Sequence, residues 1–264
     1  MLHRVLKNLA PIAALAAGAA LAGCNYSMNV GDSDGVPLTQ LDLTGAAPTE
    51  LVVAGPDRVI VTDGDTLDIG VSGDADAVEL LRFTLEDGAL GISRENGSWR
   101  DTGTAIVRVT MPSPRHVSIA GSGEVEAASL SGDKAEINLA GSGKLRIARV
   151  AAKQLEANIA GSGSVDASGD AERFELNIMG SGNSRMPGLR VAEAEVSIAG
   201  SGNGEFASDG EVEANIAGSG TVVVHGRARC TVSAVGSGKL VCRDGTRTGD
   251  ARAAESDGRS TAGE

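Results

Sequence analysis

Aromatic residues are almost missing from this chain. Its 264 residues hold one Trp, one Tyr and three Phe, 2% in all. That excludes the stacking platforms on which single-stranded nucleic acids are held. It also leaves little with which to line a sugar groove or fill a wide core. Cations are scarce by comparison: 23 Lys and Arg stand against 35 Asp and Glu, for a net charge of −12. A chain this acidic repels phosphate polymers and anionic lipid headgroups. Three His and three Cys give little material for a general base or a metal centre. No apolar run reaches spanning length; the run from Ala10 to Ala22 is too short and too rich in small residues.

What is abundant is glycine, 37 residues, and much of it recurs in one tripeptide. Gly-Ser-Gly stands at Gly121-Ser122-Gly123, Gly141-Ser142-Gly143, Gly161-Ser162-Gly163, Gly180-Ser181-Gly182, Gly200-Ser201-Gly202, Gly218-Ser219-Gly220 and Gly236-Ser237-Gly238. The start-to-start steps are 20, 20, 19, 20, 18 and 18 residues. A period near 20 is the mark of stacked coils. Around each copy the chain alternates: Ala135, Ile137, Leu139, Gly141, Gly143, Leu145 and Ile147 share one parity, and Glu136, Asn138, Ala140, Ser142, Lys144 and Arg146 the other. Period-2 alternation of that length predicts strand, bend, strand, with the first set facing a core. Both glycines of each tripeptide fall on the core parity, where a corner has no room for a side chain. The prediction is an all-β protein: a slim parallel β-solenoid of about seven coils, rising roughly 34 Å at the strand spacing. Its bore is filled by Val, Ile, Leu and Ala. A column of Ser118, Asn138, Asn158, Asn177, Ser197, Asn215 and Ser233 is placed to hydrogen-bond from coil to coil.

The rest of the chain reads in four parts. Residues 1–23 are a signal peptide, with His3, Arg4 and Lys7 ahead of the apolar run. They end in Leu21-Ala22-Gly23-Cys24, which resembles a bacterial lipobox, so Cys24 is the expected lipidation site; the alternative is a plain secretory signal with a chance cysteine. Asn25, where an inner-membrane retention signal has Asp, leans toward an outer-membrane lipoprotein. Two or more acyl chains would anchor it, at roughly 0.8 kcal/mol per buried methylene. Loss of Arg4 and Lys7 takes the net charge from −12 to −14. Residues 24–48 form a flexible tether, and residues 49–115 a β-rich N-terminal cap that contains Trp99, the only tryptophan. Within the cap, Phe83 to Ile92 reads as a hairpin. Residues 116–245 carry the repeat, and residues 246–264 form a disordered tail. Cys230 and Cys242 flank the last corner on core parity; an oxidising compartment favours a disulfide across the bore, with two packed thiols as the alternative.

The lipobox, the lead-in Val-Val-Ala-Gly-Pro-Asp-Arg-Val-Ile-Val at residues 52–61, the strand ending in Met111-Pro112 and the repeated Ile-Ala-Gly-Ser-Gly units together resemble the head-GIN domain family of auto-transporter adhesins. The resemblance covers about residues 49–243. It implies a right-handed β-helix in a cell-envelope setting and brings no catalytic residues.

Nothing in the pattern supports an enzyme. His116 and His225 have outward parity and no Ser or Cys partner at a recognisable spacing. The residues after each tripeptide are Glu124, Lys144, Ser164, Asn183, Asn203, Thr221 and Lys239, which is no recurring calcium ligand, and no metal or cofactor is expected. The most distinctive surface feature is a column of Glu136, Glu156, Glu175, Glu195 and Glu213. It is read as a solvated face that discourages aggregation, with a weak surface for cations or basic partners as the alternative. The flat Ala, Ser and Gly corner strip is read as simply a corner, with docking in a homo-oligomer as the alternative. The expected function is a lipid-anchored scaffold for binding or adhesion to an unidentified envelope or surface partner, without nucleic acid. A purely structural envelope element or, third, a polysaccharide-active enzyme are the alternatives. A binder should have one face whose side chains depart from the repeat, whereas a structural element should look alike on every coil.

Overall fold

A computed structural model describes residues 35–95, 102–244, 246–248 and 251–252, the last two stretches as backbone only. The signal peptide, Cys24, Trp99 and most of the tail lie outside the described residues. Among the described residues there are seventeen strands, one short helix and one 3-10 turn. The lead-in contains β1 (Glu50–Gly55), β2 (Arg58–Asp63), β3 (Asp68–Gly73), α1 (Ala75–Glu79), β4 (Leu81–Glu86), β5 (Ala89–Arg94) and β6 (Ala105–Met111). The repeat contains β7 (His116–Gly121), β8 (Glu124–Gly141), β9 (Lys144–Gly161), β10 (Ser164–Gly180), β11 (Asn183–Gly200), β12 (Asn203–Gly218), β13 (Thr221–His225), β14 (Arg229–Gly236) and β15 (Lys239–Cys242).

Each Gly-Ser-Gly is a corner, and every coil lies parallel on the one before. Gly121, Gly141, Gly161, Gly180, Gly200, Gly218 and Gly236 pair in register up the stack. The fold is therefore a parallel β-solenoid. Seven corners delimit six intervals, so the repeat makes about six turns rather than seven. The alternation marks a second bend near the middle of β8. There the alternation runs to Ser129, is broken by a second successive buried residue, Leu130, and resumes at Ala135 after three exposed ones.

The corner corrects one expectation. Only the second glycine of a tripeptide faces inward; the first lies at the surface, with φ between +111° and +129° at the seven corners. That left-handed backbone breaks the parity at the turn, which is why alternation placed both glycines inside. Steric need applies to both. A Cβ on Gly161 would sit 2.5 Å from the Gly141 carbonyl oxygen, and one on Gly163 2.7 Å from that of Gly143. The coils touch backbone to backbone here: Ser162 N donates to Gly141 O at 2.9 Å and Ser164 N to Gly143 O at 3.0 Å.

The bore is aliphatic, with Ile119, Leu139, Ile159, Ile178, Ile198 and Ile216 in one column. In the last coil that column ends in Ala234; Val232 is inside and Val235 is 72% exposed. Phe174 and Phe206 are fully buried and meet edge to face, with ring centroids 5.4 Å apart. Size is traded between coils: Phe174 pairs with Leu155 on one side and Ala194 on the other.

The lead-in is more than a cap. β1 pairs in parallel with β7, placing Gly55 on Gly121, and β2 pairs in parallel with β8, placing Arg58 on Glu124. The two strands thus form a coil of the stack without its tripeptide. On their far side β5 and β6 pair with them, also in parallel. β4 and β3 then close the end as antiparallel neighbours of β5 and β6, and β4–β5 is the expected hairpin, turning at Asp87-Gly88. Stack order therefore departs from chain order. At this first corner, Gly55-Pro56-Asp57, the buried carboxylate of Asp57 accepts from Arg94 Nε at 2.6 Å and from Ala105 N at 2.8 Å. Arg94, also buried, donates further to Thr102 Oγ1 at 2.8 Å and to Gly103 O at 3.0 Å. This charged staple ties the corner to the strands that cover it.

The described residues at both ends pair with the body of the fold. Val36 exchanges two backbone hydrogen bonds with Phe83, and Leu38 and Leu41 pack on the core. Beyond the repeat, β16 (Thr246–Thr248) and β17 (Ala251–Arg252) pair with β14. Cys230 and Cys242 are joined as a disulfide across the last corner, their Cα atoms 6.7 Å apart. Replacing both by serine is expected to cost the last coil about 2–3 kcal/mol. The loss should be local, because each coil of a solenoid leans only on its neighbours. Amide exchange should quicken in β14 and β15 and stay unchanged in β8 to β10.

Candidate binding surface

One face repeats coil after coil. Glu136, Glu156, Glu175, Glu195 and Glu213 stand in register, and beside them so do Asn138, Asn158 and Asn177. The asparagines form an amide ladder: Asn158 donates to Asn138 Oδ1 and Asn177 to Asn158 Oδ1, both at 3.0 Å. Each also donates to the glutamate of its own coil, at 2.8, 3.0 and 3.1 Å for Asn138, Asn158 and Asn177. Like charges one strand spacing apart are tolerated because amide N–H groups meet them. Lys134 adds a cation, 3.3 Å from Glu156 and 4.0 Å from Glu136, whereas Arg173 turns away to Glu193 at 2.6 Å. His116 heads the ladder, its Nε2 within 3.0 Å of both Ser118 Oγ and Asn138 Nδ2. From Glu136 to Glu175 these groups satisfy one another, so that part of the glutamate column is a structural seam. A second outward column alternates in sign, with Arg146 on Glu126 at 3.5 Å and Arg185 on Asp166 at 3.6 Å.

The wall around the second bend does not repeat. The register slips between β9 and β10, between β10 and β11, and twice between β11 and β12. The later coils are also shorter, stepping by 18 residues instead of 20. A depression of about 640 Å³ runs across five successive coils, from Ala151 in β9 through Asp170, Arg190 and Ala207 to His225 in β13. A second depression, of about 540 Å³, shares Glu172 and Ala192 with it and extends to Asp133 in β8. Together they make one shallow trough with alanines along its floor.

Its rim carries both signs. Arg190 grips Asp170 through two hydrogen bonds, at 2.9 and 3.1 Å. Lys153 meets Asp133 at 2.8 Å, and His225 Nε2 lies 2.8 Å from Glu205. The Lys153 ammonium is held above the usual lysine pKa, first by its hydrogen bond to Asp133, with the Glu172 charge adding to it. Exposed pairs of this kind contribute little stability; they fix a map of charge. Glu172 has no hydrogen bond and no ion pair among the described residues. Nothing in the sequence period marks this trough. Its only trace is the shortening of the steps and the absence of a common motif at the second bend.

The histidines that the sequence left unpartnered both have partners here: His116 sits between Ser118 and Asn138, and His225 against Glu205. Among the described residues no group of His, Cys, Asp and Glu is arranged to hold a metal ion. No described helix is long and apolar enough to cross a membrane.

Residues 47–228 match the protein family described as "Putative auto-transporter adhesin, head GIN domain". The chain belongs to this family. The head-GIN match begins just before β1 and ends just before β14, so it takes in the lead-in coil as well as most of the repeat. The crystal structure of a "putative adhesin" from Bacteroides fragilis superposes with a TM-score of 0.70 at 22% identity, covering 75% of this chain and 93% of that one. That of a "putative lipid binding protein" from Parabacteroides distasonis gives 0.59 at 20% identity, covering 78% and 94%. At such identities the likeness is one of fold. No curated protein matches this chain.

Proposed function

We propose that this head-GIN protein is a lipid-anchored protein of the cell envelope whose solenoid is a rigid scaffold for binding or adhesion. The observation that carries the reading is the contrast between walls. The Gly-Ser-Gly corner recurs seven times and the glutamate column runs through five coils in register, while the wall around the second bend departs from the repeat and holds the trough. A purely structural element gains nothing from that departure. Membership of a family described as adhesins, in a chain with a lipobox-like Leu21-Ala22-Gly23-Cys24, supports the envelope setting. Asn25 after the cysteine favours the outer membrane. Lipid enters this reading as the anchor on Cys24, because the bore is filled by buried side chains. The reading assigns the protein no catalysis.

The test uses beads coated with the mature chain and measures their retention on isolated cell envelopes. Wild-type beads should be retained, and beads carrying Ala192→Arg and Ala207→Arg, which fill the trough, should lose most of that retention. Ser162→Arg on the corner strip should leave it unchanged. Retention no better than that of albumin-coated beads overturns the binding role.

A further inference from the structure

We propose that the trough across β8 to β13 takes an extended basic peptide segment, with Glu172 meeting a lysine or arginine side chain at its centre. This rests on the binding role above and names the partner class for the same wall. Length is the first argument. The trough crosses six coils, from Asp133 to His225, about 24 Å at the strand spacing. That is the reach of about seven extended residues. The floor is the second: Ala152, Ala171, Ala192 and Ala207 leave a shallow apolar strip against which the methylene stems of Lys or Arg can lie.

Charge is the third argument and decides the sign. Asp133, Asp170 and Glu193 are each met by a cation of the chain itself, Lys153, Arg190 and Arg173. Glu172, shared by both halves of the trough, is exposed and has no ion pair. Internal pairing therefore leaves a negative charge near the midpoint, and a chain of net charge −12 steers cations toward it. An anionic polymer is repelled, and a neutral glycan finds no aromatic, because Phe174 and Phe206 face the bore. The partner cannot join as an added strand, since the strands here are already paired on both sides. Side chains must do the recognising.

The probe is a fluorescein-labelled peptide of alternating lysine and alanine, about eight residues long. Its binding to the mature chain is followed by anisotropy at low salt. Glu172→Lys should weaken binding at least about tenfold, and Glu172→Gln by less, whereas Glu124→Lys, the same charge change near the first corner, should weaken it less than about twofold. A peptide of alternating glutamate and alanine should not bind. Equal weakening by Glu172→Lys and Glu124→Lys would reduce the effect to net charge and overturn the proposal, as would no binding of the basic peptide or equal binding of the acidic one. Glu172 is exposed, so these variants should keep the wild-type amide-exchange pattern. If coated beads are retained on envelopes but the peptide does not bind, the binding role stands and the partner class falls. If neither binds, both fall.

Discussion

Asp57→Ala is expected to cost about 3–5 kcal/mol, the usual penalty for stranding one member of a buried ion pair. Arg94 is then left among apolar strands with Thr102 Oγ1 and the Gly103 carbonyl but no counter-charge. The damage should concentrate at the N-terminal end, because Asp57 and Arg94 join the first corner to β5 and β6, and coils further along touch neither. Amide exchange in β5 and β6 measures it directly, with β10 to β12 as the internal reference. The double replacement Asp57→Ala with Arg94→Met removes both charges and should recover at least half of the loss. A single-variant cost below about 1 kcal/mol would mean that water reaches the pair and that the staple is not what holds the lead-in coil.

The second large effect is expected at a corner in the middle of the stack. Gly161→Ala should cost about 3 kcal/mol or more. Gly161 has φ +117°, a region essentially closed to residues with a Cβ, and the new methyl would press on the Gly141 carbonyl oxygen. That oxygen accepts from Ser162 N, so relief by moving it apart costs a rung of the ladder between coils. Gly163→Ala should be comparably harmful for a different reason. Its backbone carries no such strain, but its methyl would meet both the Gly143 carbonyl and the Leu139 side chain in the bore. Ser162→Ala, between them and exposed, should change stability by less than about 0.5 kcal/mol. Urea midpoints of the three variants make the comparison. If Gly161→Ala is as mild as Ser162→Ala, the corners are looser than the stacked carbonyls require.

The period of the sequence was enough to establish the solenoid, its parallel register, the aliphatic bore and the position of every Gly-Ser-Gly corner. These are local and repeated decisions. Alternation sets which side chains face inward, glycine sets where the chain turns, and the same choice made on each coil leaves one arrangement. The Asn column was legible for the same reason, since equal spacing places Asn138, Asn158 and Asn177 on one another. Tertiary structure alone decided what breaks the repeat. That β1 and β2 form a coil beneath β7 and β8, outside which β5 and β6 add, depends on pairings across long stretches of chain and on a corner with no tripeptide. The partners of Asp57 lie 37 and 48 residues away along the chain, beyond any spacing rule. The trough is the clearest case. It lies where register slips and unequal coil lengths fall on neighbouring turns, so no single residue announces it, and the charge left at Glu172 is visible only once Lys153, Arg173 and Arg190 beside it have found their partners in space.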